Sequence, residues 1–299
     1  MSNPIAIPDD GESRMTGEAH LHPAGQARYS LSRIIAFSLL MVMALVTIYP
    51  FIWMVLTSLR ERNTVYGGPF IPEEFIFSNY SQAWAQTHFG DHLLNSIIIV
   101  VCSLAGIVFL STTAGYAFAK LNFPFKNIIY ILLLSTMAMP AASLIIPLYL
   151  QVNSLGLLDS QQGLILVYIG SMSPFSIFLM RSFFEGVPNE LIEAARIDGS
   201  GEWGTFYRVA LPLVKPGVGT VVILQFLALW NEFLYATVLI QSSAKQPLQP
   251  AIFNLVGQYT TNWPLLAASL TMAIVPIVLV YINMQKQFVA GLTQGALKW

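Results

Sequence analysis

Long apolar runs separated by short polar stretches fill the chain from about residue 34 onward, and no two-residue alternation of apolar and polar positions interrupts them. A bilayer core takes roughly 20 apolar residues per helix. Runs of that length predict six helices, at 34–57, 93–117, 128–150, 162–183, 217–240 and 264–285, the fifth carrying one charge, Glu232. A barrel would need short alternating segments instead. The expected fold class is therefore an all-α membrane protein with six transmembrane helices. The first run is too long for a signal-peptide core and no small-residue cleavage site follows it, so it is expected to stay in the mature chain.

Composition agrees with this pattern: 55% of residues are hydrophobic, 10% are charged, and the formal net charge is −1. Nothing here suggests a nucleic-acid partner. Lys and Arg are retained on the cytoplasmic side of membrane proteins. With the N-terminus inside, only Arg60, Arg62 and Lys245 of the 14 basic residues fall outside. Both termini are thus expected in the cytoplasm. Residues 1–30 are polar and aperiodic and are expected to form a disordered cytoplasmic tail. Residues 31–287 form the transmembrane domain, with its core at about 91–285, and 288–299 a cytoplasmic tail.

Two loops are long enough to read. The outer one, from Arg60 to Asp91, holds Gly67-Gly68-Pro69 and the aromatic residues Phe75, Phe77, Tyr80 and Trp84, which suits a short interfacial helix. The inner one, 186–215, opens with Val187-Pro188-Asn189-Glu190, a helix start with proline and an acid in the first turn. Leu191, Ile192, Ala194, Ala195 and Ile197 continue a helix of about two turns, which Asp198-Gly199 ends. Ser200 is a candidate N-cap for a second short helix through Trp203, Phe206 and Tyr207. An amphipathic loop covering the base of the bundle is the plain alternative.

The string EAARIDGSGEWGTFYRVALPLVKPG in this loop resembles the EAA motif of binding-protein-dependent ABC importer permeases, in particular the maltose-type carbohydrate uptake group. Trp230-Asn231-Glu232-Phe233 and the tail from Phe288 to Lys298 are similar to the same group. The chain looks like the MalG-like subunit rather than its MalF-like partner. The resemblance implies a type I ABC importer permease fold and a permease subunit of a carbohydrate importer. It also implies, as partners, a second permease, a dimer of ATP-binding subunits and an external solute-binding protein. On this sequence it assigns contact with the ATPase to Glu193, Ala194, Ala195, Asp198 and Gly199. Ser200-Gly201 stands where Ala-Ser is commoner in the family, and Gly204 adds a further flexible position, so the second half of the loop is expected to be looser.

A P-loop needs a Gly-Lys pair to cradle phosphates, and the chain has none. ATP and Mg are therefore expected on the partner ATPase, with no cofactor and no enzyme activity in this chain. Prolines 140, 147, 174, 264 and 276 bend helices that can then enclose a cavity. Gln151, Asn153, Tyr168, Ser171, Ser173 and Phe175 are candidates to line it, because sugars are held by hydrogen bonds and aromatic faces. Asn231 and Glu232 are added as candidates for the translocation path. A membrane acid needs a partner. Helical spacing places Gln225, Ala228, Tyr235 and Ala236 beside Glu232, which is either a structural hydrogen-bonding group or part of the path.

The remaining signals are weaker. His88 and His92, with Asp91 beside them, lack a clear third metal ligand and read as exposed loop histidines with no metal. Cys102, the only cysteine, reads as a small packing residue. Asn79-Tyr80-Ser81 matches a glycosylation sequon that a bacterial-type importer would not use. Two rival functions stay open: a permease of the same superfamily for an amino acid or polyamine, and an ATP-independent carrier or channel.

Overall fold

The computed structural model describes residues 31–257 and 261–296, and the expected N-terminal tail lies outside them. The chain divides between Tyr49 and Pro50 into two units. The first holds most of α1 (Leu31–Ser58), an apolar helix with Pro50 inside it. The second contains α2 (Ser78–Gln86), α3 (Phe89–Lys120), α4 (Lys126–Ser135), α5 (Ala141–Ser154), α6 (Gln161–Glu185) and α7 (Asn189–Ile197). It continues through α8 (Glu202–Thr205), α9 (Leu211–Leu213), α10 (Lys215–Trp230), α11 (Leu234–Leu239), α12 (Leu248–Phe253) and α13 (Trp263–Ala296). Among the described residues there is no strand.

Among the described residues, four helices are long and apolar enough to cross a bilayer, and two bent pairs raise the count to six if each pair is one span. The expected third span is one of these. It breaks between α4 and α5 with a 107° bend. The cause is local: Met139 precedes Pro140 and is pushed to an extended conformation (φ −80°, ψ 122°), which a helix cannot absorb. The expected fifth span, 217–240, is also interrupted, because α10 stops at Trp230 and α11 begins only at Leu234. The last helix runs on past 285 to Ala296.

Helices α3 and α6 form the centre of the second unit and run parallel, since Gln161 Nε2 donates to Asn95 Oδ1 (2.8 Å) near their starts and Tyr116 packs on Phe184 near their ends. Small residues let them approach. A Cβ at Gly115 would stand 2.8 Å from the Met180 Cβ, and one at Gly106 would stand 2.4 Å from the Ile169 Cδ1. Lipid offers no hydrophobic drive between helices, so such close contact supplies the attraction. Gln225 of α10 joins the pair by donating to Ser176 Oγ at 2.8 Å. Trp230 Nε1 reaches the Ala273 carbonyl of α13 at 3.2 Å.

The aromatic loop before α3 forms the expected short helix, α2, with Ala83 fully buried against Leu265 and Ala268. Its Tyr80 shares a hydrogen bond with Ser58 (2.7 Å). Two smaller expectations need correction. His92 is buried, not exposed, because its Nδ1 lies 2.8 Å from the Gln246 carbonyl. Cys102 is exposed on α3, so it does not pack in the interior.

Candidate functional site

The polar segment after α6 is a helix with a sharply defined stop. Pro188 holds the entry extended (φ −57°, ψ 135°) and Glu190 sits in the first turn, where the helix dipole favours an acid. At the other end Gly199 turns left-handed (φ +82°). The Ser200 amide then donates to the Ala195 carbonyl (2.9 Å) and the Gly199 amide to Arg196 (3.0 Å). That is the Schellman pattern. A Cβ at Gly199 would meet nothing within 4 Å, so glycine is needed there for its backbone freedom and not for space.

Burial divides the five expected docking residues. Glu193, Ala194, Asp198 and Gly199 are exposed. Ala195 instead turns inward with Ile192, three positions away on the same face, and is 9% exposed. The outward surface gains two apolar residues beyond those five, Leu191 and Ile197, the latter 86% exposed.

One lysine and a set of rings fasten this segment to the bundle, and an ion pair joins its first two helices. Lys120, at the end of α3, donates from Nζ to the Val187 carbonyl (2.6 Å) and to Asn189 Oδ1 (2.7 Å). Phe206 is buried, with its ring centre 5.2 Å from Tyr116 and 6.2 Å from Phe184. Arg196 pairs with Glu202 at 2.9 Å, tying α7 to α8. Phe206–Ala210 forms a π-helical turn, and its Tyr207 stacks on Trp203 with both rings exposed. The expected Ser200 cap does not form, since Gly201 precedes α8 without a side-chain bond. Nor is Gly204 an open position. A Cβ there would lie 2.5 Å from Ser200 Oγ, so the glycine admits the serine.

The helix break at Pro140 opens a cavity of about 1110 Å³ between α4, α5 and α6. Gln151, Ser171 and Phe175 line it together, as does Tyr235 of α11. Met137, Met139 and Met172 make much of the rest apolar. Asn153 and Ser173 are not in its lining; the Ser173 hydroxyl is spent on the Ile169 carbonyl of its own helix at 2.5 Å.

Tyr168, Asn231 and Glu232 are brought elsewhere. Tyr168 is 1% exposed, and its hydroxyl donates to Glu232 Oε2 at 2.5 Å. The Glu232 carboxylate also accepts the Tyr235 amide on Oε1 (2.8 Å) and the Ala236 amide on Oε2 (3.2 Å). It therefore caps α11, satisfying amides that the broken helix leaves without carbonyls. The helical face drawn from Gln225 and Ala228 through Glu232 does not exist, because the chain is not helical at 231–233. Asn231 is exposed and donates to the Leu227 carbonyl (2.8 Å), closing the end of α10. No group of three or more potential metal ligands occurs among the described residues.

Known proteins resemble this chain in sequence and in fold. Residues 110–294 match the family described as binding-protein-dependent transport system inner membrane component. The diacetylchitobiose uptake system permease protein of Streptomyces coelicolor is 33% identical over 88% of this chain and 88% of its own length. The melibiose, raffinose and stachyose import permease of Bacillus subtilis is 31% identical over 91% of this chain and 99% of its own. A bacterial ABC transporter involved in import of the acidic polysaccharide alginate has a subunit that superposes with a TM-score of 0.77 at 28% identity, covering 87% of this chain and 99% of that one.

Proposed function

Because the chain belongs to the binding-protein-dependent transport system inner membrane components, we propose that it is the permease subunit of an ATP-driven carbohydrate importer. It forms half of the translocation pathway and docks an ATPase subunit through residues 186–215. The observation that carries this reading is the helix Asn189–Ile197, whose Glu193, Ala194, Asp198 and Gly199 stand exposed on a segment bolted to α3 and α6. Ala195 supports the docking surface from beneath, through its packing and its carbonyl. ATP and Mg belong to the partner subunit, and this chain needs no cofactor. A second permease subunit and an external solute-binding protein complete the assembly.

Sugar transport, in preference to an amino acid or polyamine, is favoured by relatives whose names specify diacetylchitobiose and melibiose, raffinose and stachyose. Within this chain the cavity bounded by Gln151, Ser171, Phe175 and Tyr235 is the part of the pathway that meets the substrate, with Phe175 and Tyr235 offering ring faces and Gln151 and Ser171 hydrogen bonds. Asn231 and Glu232 act on the pathway only through the helix ends that they close.

The complete complex in proteoliposomes should hydrolyse ATP faster when a sugar-loaded binding protein is added. This chain reconstituted alone should move no sugar. Sugar uptake by the chain alone would identify an ATP-independent carrier and overturn the reading.

A further inference from the structure

The turn joining α3 to α4 borders a second cavity, open to the surroundings and of about 630 Å³, lined among others by Asn122, Phe125, Lys126, Asn127 and Arg181. Its two charged side chains are both cations, and they come from different elements, α4 and α6. Each is held in place from behind. Lys126 Nζ donates to the Leu121 carbonyl at 2.8 Å. The Arg181 guanidinium lies 4.0 Å over the Tyr130 ring, and its Nε donates to Glu185 at 2.8 Å. With the ring face and Nε engaged, the edge of Arg181 left for a ligand is its Nη pair, a fork matched to two oxygens of a phosphate. Glu185 balances one of the two positive charges, and Lys126 supplies the excess.

What adjoins this cavity is apolar. Phe125 is 72% exposed, and from Ile128 a stripe continues up α4 through Ile131 and Leu132, which are 58%, 64% and 62% exposed. Those positions share one helix face by their three- and four-residue spacing. α4 passes from Lys126 straight into an apolar run, so its first turn lies where a bilayer changes from headgroup to chain. A soluble anion would satisfy the cations and leave the stripe bare. An anionic lipid satisfies both.

We propose that the Lys126–Arg181 cavity binds the phosphate of an anionic phospholipid, whose acyl chains lie along Ile128, Ile131 and Leu132. Basic pockets between membrane helices are built to hold such headgroups. The inference draws on the proposed function only for the assembled complex used in its test. Lipid binding is read without transport, so each can fail separately.

The test compares the intact complex with its Lys126→Ala/Arg181→Ala variant in nanodiscs of phosphatidylcholine containing phosphatidylglycerol, counting retained phosphatidylglycerol by native mass spectrometry. Wild type should keep an anionic lipid per copy of this chain. The variant should lose it, with apparent affinity down by tenfold or more, at about one charge's worth of attraction per cation removed. Lys126→Arg should keep it. If the double variant does not assemble, Lys126→Gln alone gives the same comparison. Inorganic phosphate added to lipid-poor complex should not shield Lys126 from acetylation, whereas phosphatidylglycerol vesicles should. Equal shielding by phosphate, shielding with no lipid present because the second permease covers the site, or unchanged lipid retention in the variant would each overturn the proposal.

Discussion

At one end of the α3–α6 pair, side chains from several elements cross-link the backbone of a single strap, residues 239–248. At the other end, the docking segment is fastened by one lysine and a knot of rings. In the strap, Asp159 accepts the Gln241 amide (3.0 Å) and the Ser242 amide (2.8 Å), and also the Ser242 hydroxyl. Asn95 donates to the carbonyls of Ala244 (2.9 Å) and Gln246 (3.1 Å), and Ser96 Oγ accepts the Leu248 amide (2.7 Å). Much of this directional bonding is spent on holding the strap's own backbone in register. The docking end spends little on directional bonds, and its helix is shaped by its own Schellman stop. The difference separates an anchored end from a tab shaped by its own residues, the short helix proposed to meet the ATPase. Between them lie the two helix breaks, at Pro140 and at 231–233.

Substitutions at the tab should therefore uncouple transport without unfolding the chain. Gly199→Val forces a β-branched residue into a left-handed conformation, at about 1–2 kcal/mol. Uptake should fall at least tenfold while the amount of protein in the membrane stays normal, and Gly199→Asn, which tolerates that conformation, should retain part of it. Equal loss of membrane protein in both variants would mean that the stop serves folding rather than docking.

Glu232 tests the region between the two ends. Leu at 232 removes every acceptor from Tyr168 and from the Tyr235 and Ala236 amides, and charged hydrogen bonds contribute about 1.5–3 kcal/mol each. Assembled complex should drop severalfold. Gln keeps one acceptor oxygen and sets an NH2 group against a donating amide, so its melting point should fall part of the way, with uptake reduced in proportion to assembly. A Gln variant that assembles fully yet transports nothing would place the carboxylate in the pathway itself.

The anchored end should show the smallest effect, and only in acid. The Ser242 hydroxyl and amide, followed by Lys245, hold the Asp159 carboxyl well below the usual carboxylate range. A carboxylate lowered in the folded state adds stability that is complete above its unfolded pKa of about 3.9. That contribution is lost only as pH falls through the lower, folded value. Hydrogen exchange at 240–246, taken relative to the free-amide rate at each pH, should be level from pH 8 to 5 and begin to rise below about pH 4. Asp159→Asn should exchange faster across the whole range. A rise centred between pH 5 and 7 would point to a different group.

Much of this was legible in the residues. Apolar run lengths gave the helices, and the EAA string with its Pro188 entry and Gly199 stop marked the tab. The breaks were harder to see, because hydropathy is equally high on both sides of Pro140 and of 231–233. Proline in a membrane helix is read as a bend, and here it ends the helix. Glu232 was placed by helical periodicity that the chain abandons one residue earlier. Lys120 carried no signal, since its partners are backbone and side-chain oxygens 67 and 69 residues away. Tyr235 enters the cavity only because α11 starts afresh after the break.

Residues 186–215 are proposed to meet the ATPase. A photo-crosslinking residue at Ala194 or Ile197, with another at Asn153 for comparison, tests it in the assembled complex. Adducts with the ATP-binding subunit are expected from Ala194 and Ile197, changing in yield when ATP is added, and none from Asn153. Adducts with that subunit from Asn153, or none from the tab in a complex that hydrolyses ATP, would contradict it.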